Sequence, residues 1–217
     1  MTVLPFRSDD DVRAAIPVVK EHVSRGGFIV YPTETVYGLG SRPVAADVAA
    51  LAALKNRPSR KPFLLLVSSR QMAEAYGLVF PRAADAMAEQ FWPGPLTLVL
   101  PGGEGKLPDS LRGAEGGIAV RWTSHHGTAT LITALDMPIT STSANRPGER
   151  TPPGVDAVAA LFPEEIAAGR VLILDGGVLG NVPPSTLVDC TGPVPRLVRP
   201  GAIPLQELRA RLGRLAP

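Results

Sequence analysis

Eight short runs, most of them rich in β-branched or leucine side chains, recur along these 217 residues at 28–31, 63–67, 96–100, 118–121, 139–142, 171–175, 186–190 and 196–199. Segments with helical spacing of apolar residues lie among them at 47–55, 71–76, 82–91, 125–135, 155–162 and 205–212. Runs of four or five residues bounded by turn formers have the length of strands and are too short for helices. Strands interleaved with helical segments predict an α/β fold, a sheet covered by helices. The 23 prolines and 22 glycines are spread through the connections, without a repeat or a low-complexity tract. A chain this long buries roughly 70% of its unfolded surface as one unit. A single domain over 1–217 is therefore expected.

A further helix is predicted near the N-terminus, where Val12, Ile16, Val19 and Val23 follow Asp9-Asp10-Asp11 and precede Gly26-Gly27. Pro17 interrupts the pattern: either it kinks this helix or the helix starts near it, because an interior proline loses a hydrogen bond and clashes with the preceding turn. The 22 basic and 20 acidic residues leave a net charge of +2, without the basic excess that drives sequence-blind nucleic-acid binding. No apolar run approaches the ~20 residues of a membrane span, and the acidic start is unlike a signal peptide. A cytoplasmic protein without a membrane partner is expected. The one cysteine, Cys190, excludes an internal disulfide and reads as a buried, inert thiol.

Lys55, Arg57, Arg60 and Lys61 fall within seven residues, and no Asp or Glu occurs from Val48 to Ala73. An unneutralised cluster of this kind suits an external anion, with Arg forking onto phosphate oxygens and Lys acting as a mobile point charge. The same residues also read as a solvated helix end that offsets the helix dipole. Ser141-Thr142-Ser143-Ala144-Asn145 offers small polar groups for a ligand, or a turn or N-cap. Further acid-free stretches at 137–148 and 190–206, the latter with Arg196 and Arg199, favour a combined nucleotide-phosphate site. The segment Pro32-Thr33-Glu34-Thr35-Val36-Tyr37-Gly38-Leu39-Gly40 follows a predicted strand and reads equally as a ligand loop or as a turn capped by its threonines. Walker-type, dinucleotide-binding, nucleophile-elbow and H-E-x-x-H signatures are absent. Of the three histidines, His125 and His126 cannot share a helix face and lack ligand-spaced companions, so no protein metal site is expected.

In this order the chain resembles the threonylcarbamoyl-adenylate synthase family, also called YrdC-like. The motifs are PTETVYGLG at 32–40, Lys55-x-Arg57, FWPGPLTLVL at 91–100, IAVR at 118–121, STSAN at 141–145, PSTLVD at 184–189 and VRPG at 198–201. The resemblance implies a twisted, mostly open mixed sheet flanked by helices, with a concave basic groove. It implies a nucleotidyltransferase that joins L-threonine, bicarbonate or CO2, and ATP into threonylcarbamoyl-AMP, releasing pyrophosphate. That is the first step of t6A37 modification of tRNA. By the same resemblance Lys55, Arg57, Lys61, Gly117, Ser143, Asn145, Thr151 and Arg199 meet ATP, with Lys55 and Arg57 offsetting charge in the reaction. Threonine meets Thr33 or Thr35, Arg121, Ser141 and Ser185. Mg²⁺ accompanies ATP, and the implied partners are tRNA and a downstream threonylcarbamoyl transferase complex.

One departure bears on the amino-acid pocket. Leu66 stands where many longer members carry a histidine, which leaves threonine-versus-serine selectivity open. VRPG lies close to the end of the chain, so the short, single-domain type is expected. Two other readings compete. One is the carbamoyl-adenylate chemistry of hydrogenase maturation proteins, whose zinc-finger and acylphosphatase regions are missing here. The other is a tRNA or double-stranded RNA binding module that uses the basic groove without catalysis, with strong salt dependence and no need for threonine or ATP.

Overall fold

The structure, a computed structural model, describes residues 3–58 and 61–212, with the side chains of 211 and 212 left out. Arg60, a member of the predicted basic cluster, lies outside the described residues. The elements in chain order are β1 (Val3–Pro5), α1 (Asp9–Ser24), β2 (Phe28–Tyr31), β3 (Gly38–Gly40), α2 (Ala45–Leu54), β4 (Leu64–Val67), α3 (Arg70–Ala75), α4 (Arg82–Phe91), β5 (Leu96–Leu100), β6 (Ile118–Trp122), α5 (His126–Leu135), β7 (Ile139–Ser143), α6 (Val155–Ala159), α7 (Pro163–Ala167), β8 (Val171–Asp175), β9 (Thr186–Asp189), β10 (Arg196–Arg199) and α8 (Leu205–Leu212). A 3-10 turn covers Asp109–Leu111.

The ten strands form one mixed sheet in the order β1-β8-β2-β3-β7-β4-β6-β5-β9-β10. The β1/β8, β2/β8, β4/β6 and β5/β9 pairs are parallel, and the other five are antiparallel. Both faces are apolar over much of the sheet, which is why its strands read as continuous apolar runs and not as alternating ones. Phe28 and Val30 of β2, Leu65 and Val67 of β4, and Val171 and Ile173 of β8 pack on one face, under α2, α3, α4, α6 and α8. Their neighbours Ile29, Tyr31, Leu66, Leu172 and Leu174 face the opposite way, under α1 and α5. Each fully buried aliphatic side chain contributes about 1.5–3 kcal/mol.

On that second face the apolar surface gives way to polar residues. Arg121 is opposite Leu66 and Ser141 is opposite Leu64 in register, and Thr97 and Ser185 are hydrogen-bonded to each other at 2.7 Å. Thr97, Arg121, Ser141 and Ser185 are all buried. Strand alternation thus builds a polar floor from β7, β6, β5 and the residue preceding β9.

Two expectations change. Pro17 does not start the first helix: α1 runs through it, opening on a Ser8–Asp11 capping box and carrying Pro17 at an exposed position, while Val12, Ala15, Val19 and Val23 are buried. Residues 38–40, read as part of a loop, form β3. A Cβ at Gly40 would stand 1.9 Å from the Thr140 carbonyl oxygen, and one at Gly38 2.7 Å from the Tyr31 ring. Only glycine lets β3 fit between β2 and β7 at that separation. Cys190 follows β9 and is buried, and burial pushes its thiol up to about 12. Among the described residues no helix is long and apolar enough to cross a membrane.

Candidate functional site

The connection from β2 to β3 is fixed by its own threonines. The Thr33 hydroxyl accepts from the Thr35 and Val36 amides, each at 3.2 Å, and donates to the Val36 carbonyl at 2.7 Å. Its bonding capacity is spent on shaping the loop. Tyr37 anchors the other end: its hydroxyl donates to the Gly177 carbonyl at 2.6 Å and accepts from the Gly176 amide at 3.1 Å. Thr35 is thereby held over the floor, where its hydroxyl accepts from Arg121 Nη1 at 3.2 Å. Of the two sequence candidates, Thr35 reaches the arginine and Thr33 builds the turn.

Lys55 follows α2 and is only 6% exposed. Its ammonium donates to the Ser143 carbonyl at 3.1 Å, to Asn145 Oδ1 at 3.2 Å and to the Asn145 carbonyl. All three acceptors are neutral. Burial, and then the neighbouring Arg57, lower its pKa from 10.5 to about 8. The Ser143 hydroxyl donates to Asn145 Oδ1 at 2.7 Å, and the Asn145 amide donates to the Glu149 carbonyl at 2.6 Å. The STSAN segment is thus folded around the lysine.

Arg57 is aimed by the chain just after it. Its guanidinium donates to the Lys61 carbonyl, to the Pro62 carbonyl at 3.0 Å and to the Thr142 hydroxyl at 3.1 Å, and its carbon lies 4.8 Å from the Phe63 ring centroid. Burial and then Arg199 lower its pKa. Arg199, at the end of β10, donates to the Ser185 carbonyl at 2.8 Å and hydroxyl at 3.3 Å, and burial followed by Arg121 lowers its pKa in turn. Lys55, Arg57, Arg199 and Arg121 therefore form a row in which each cation feels the next. Among the described residues the only carboxylate in ion-pair range of the row is Glu34, 3.6 Å from Arg121. Bringing four cations together with one acid is unfavourable unless an anion occupies the space.

The structure brings together Lys55, Arg57, Ser143, Asn145, Arg199, Ser185, Arg121 and Thr35. Ser141 is buried in the same floor, beside the Tyr31 phenol. The other expected contacts are less engaged. Lys61 is exposed, and the bonds described for it use its backbone. Gly117 precedes β6 against Val99 and Thr191, where a Cβ would come within 2.4 Å of the Thr191 methyl. Thr151 makes no hydrogen bond among the described residues. A groove of about 490 Å³ lined by Trp122, Thr123, Ser124, His126 and Thr130 includes none of the cations; charge, more than concavity, marks the site.

Three residues around this site were not named as contacts from the sequence. Thr142 belongs to the STSAN run, but its role as an acceptor for Arg57 depends on the register of β7. Thr97 is the one polar residue in the run 96–100, and that break in an apolar strand was a usable signal. Glu34, the only acid in 32–40, was legible as an oddity between two threonines. His125, by contrast, is explained structurally: its Nδ1 accepts from the Thr128 amide at 3.2 Å and caps α5.

Comparison with known proteins places this geometry. The Sua5_yciO_yrdC family, described as "Telomere recombination", matches residues 21–201. A Threonylcarbamoyl-AMP synthase of Pyrococcus abyssi is 34% identical over 201 residues, covering 92% of this chain and 58% of that protein. One from Chromobacterium violaceum is 36% identical over 173 residues, covering 78% of this chain and 86% of that protein. The crystal structure of P. abyssi Sua5 complexed with L-threonine superposes with a TM-score of 0.87 at 31% identity, over 100% of this chain and 63% of that one. The chain thus spans somewhat under two thirds of the Pyrococcus proteins. On the extent of the match and the shared sheet, the chain belongs to the Sua5/YciO/YrdC family.

Proposed function

We propose that this chain is a threonylcarbamoyl-AMP synthase, which joins L-threonine, bicarbonate or CO2, and ATP into L-threonylcarbamoyl-AMP and pyrophosphate, as the first step of t6A37 formation in tRNA. The observation that carries this reading is the row Lys55–Arg57–Arg199–Arg121, buried at its two ends, which extends from the STSAN segment to the Thr35 loop without a matching set of acids. The names of the relatives support it. In this proposal the row lines the basic groove of a single domain. An RNA-binding module fits less well, because Lys55 and Arg121 are 6% and 4% exposed, out of reach of a bulky duplex backbone.

Each group in the row has a task. Lys55 and Arg57, with Ser143 and Asn145, bind the ATP phosphates, and Arg199 bridges toward the amino-acid end. Arg121, with Thr35, Ser141 and Ser185, takes the threonine carboxylate and hydroxyl. A threonine carbamate and ATP are both anions, so the row offsets their repulsion as the carbamate oxygen approaches the α-phosphorus. The bond formed is carbamate oxygen to phosphorus, the bond broken is phosphorus to the bridging oxygen of pyrophosphate, and the leaving charge is met by Lys55 and Arg57. Fixed donors of this kind contribute by positioning and electrostatics, with no protein nucleophile required. Lys61, Gly117 and Thr151 are assigned peripheral nucleotide contacts.

Mg²⁺ enters as part of the ATP substrate. Among the described residues no group of three or more His, Cys, Asp or Glu is placed to hold a metal ion. The adenylate passes to a downstream transferase complex, which also engages tRNA. The test is pyrophosphate release from ATP with Mg²⁺ and bicarbonate, comparing L-threonine, L-serine and no amino acid. Release that needs both threonine and bicarbonate is expected, and equal release without amino acid would sink the proposal.

A further inference from the structure

Glu34 is held in place but only half used. Its Oε2 accepts a hydrogen bond from the Thr123 hydroxyl, while Oε1 is buried without a hydrogen-bond partner among the described residues. Arg121 has the complementary defect: Nη1 donates to Thr35 and lies 3.6 Å from Glu34 Oε1, but its buried Nε has no acceptor. A carboxylate oxygen and a guanidinium N–H left unsatisfied side by side are costly, by about 1–3 kcal/mol each and more for charged groups. The pair faces the polar floor formed by Ser141, Thr97 and Ser185. A ligand that satisfies both orphans must present an anion to Arg121 and a cationic donor to Glu34 within one small molecule. A zwitterionic α-amino acid has that arrangement, its carboxylate and ammonium being separated by a single carbon.

We infer that Glu34 reads the ammonium group of the amino-acid substrate and accepts the proton that this nitrogen must lose before it can be carboxylated. This rests on the synthase reading. An ammonium nitrogen has no lone pair, so nothing can add to CO2 until one proton leaves. Glu34 Oε1 takes that proton. The nitrogen lone pair then forms the N–C bond as one C=O π bond of CO2 opens into a carbamate oxygen. The second nitrogen proton goes to the hydroxide left when bicarbonate delivers CO2, giving water. Protonated Glu34 returns its proton to solvent between turnovers. Atoms and charge balance as ammonium plus bicarbonate plus carboxylate giving carbamate plus water plus carboxylic acid.

The charged and titratable groups facing Glu34 are Arg121 from β6 and the His125 ring ahead of α5. Burial lowers the pKa of His125, so the ring is neutral at and above neutral pH and leaves Arg121 as the standing charge beside Glu34. Thr123 fixes the carboxylate from below and also accepts from the His125 amide at 3.2 Å, which ties the acceptor to the start of α5. A bare strut for Arg121 would hydrogen-bond it through Oε1, which instead stands 3.6 Å from Nη1 and is buried without a hydrogen-bond partner among the described residues.

The test uses the full chain as wild type, Glu34→Gln and Glu34→Asp, with two readouts: the pH profile of kcat/KM for threonine, and the affinity for L-threonine relative to its 2-hydroxy analogue. In Glu34→Gln, kcat/KM at neutral pH is expected to fall about 10²–10⁴-fold and then to climb about tenfold per pH unit as the amine deprotonates unaided. The preference for the amino acid over the hydroxy acid is expected to collapse in the same variant and to recover in part in Glu34→Asp. A Glu34→Gln chain that keeps the wild-type pH profile and the wild-type preference overturns the inference, even if its turnover drops uniformly, since that is the result for a strut. If Glu34→Gln does not fold, Glu34→Asp must weaken the preference by drawing the charge back, and an unchanged preference overturns the inference. Failure of the wild type to release pyrophosphate with threonine removes the synthase reading instead, and the ligand preference then still decides whether Glu34 recognises an ammonium.

Discussion

Raising the pH from 7 to 9 is expected to weaken ATP binding about tenfold through Lys55 alone. The ligand-free lysine has a pKa of about 8, because it is buried next to Arg57 with only neutral acceptors around its ammonium. At pH 7 roughly nine in ten chains carry the charge, and at pH 9 roughly one in ten. Phosphate oxygens at the ammonium favour its charged form, so the complex keeps Lys55 protonated across this range. Above pH 8 each binding event must then fetch a proton, and affinity falls by about a factor of 1 + 10^(pH − 8). That is about 1.4 kcal/mol between pH 7 and 9. Stability of the empty chain should move the other way. The folded pKa lies below the unfolded 10.5, so the cost of the buried charge, present below pH 8, is relieved as pH rises from about 8 to 10.5. Titration calorimetry in two buffers of different ionisation enthalpy measures both the affinity and the proton count. Uptake of about half a proton near pH 8 is expected, and Lys55→Met should abolish it. An affinity that is flat from pH 7 to 9, with no proton uptake, would refute the placement of phosphate at Lys55.

Three further expectations test the rest of the site. Arg57→Ala should lower kcat by about 10²–10³-fold, the scale for a donor to developing charge, while thermal melting changes little; near-wild-type kinetics would remove Arg57 from the reaction. Asn145→Ala deletes the Oδ1 that accepts from both Lys55 and Ser143, so KM for ATP should rise more than KM for threonine, and equal effects on the two would contradict the assignment. Cys190, with its thiol pushed up to about 12 by burial, should not react with a thiol reagent in the folded chain at pH 8 and should react fully once unfolded; rapid labelling of native protein would show the site to be open.

Much of this architecture was readable from short-range pattern. The runs at 28–31, 96–100 and 171–175 coincide with β2, β5 and β8, because apolar strands buried on both faces announce themselves by length and composition. β3 was hidden because Gly38 and Gly40 look like loop residues, and the reasons for glycine there are the Tyr31 ring of β2 at Gly38 and, at Gly40, a carbonyl contributed by β7 about a hundred residues later. α7 was missed and 155–162 overextended because Pro163 starts a separate short helix there. The basic cluster and the STSAN run were visible as composition, but their union was not. Lys55 meets Ser143 and Asn145 only because β4 pairs with β7, and Arg199 joins Arg57 and Arg121 only because β10 returns beside β9. Glu34 and Thr97 stand out in the sequence as isolated polar residues, but their partners Thr123 and Ser185 are set only in three dimensions.

The most direct test of the central proposal is to supply carbon-labelled bicarbonate with ATP, Mg²⁺ and L-threonine, and to ask by rapid-quench mass spectrometry where the label goes. Label is expected in a species containing threonine, one carboxyl carbon from bicarbonate, and AMP, formed in step with pyrophosphate. Pyrophosphate appearing with unlabelled aminoacyl-adenylate or with AMP alone would contradict it, and would mean that the cation row activates a different acid.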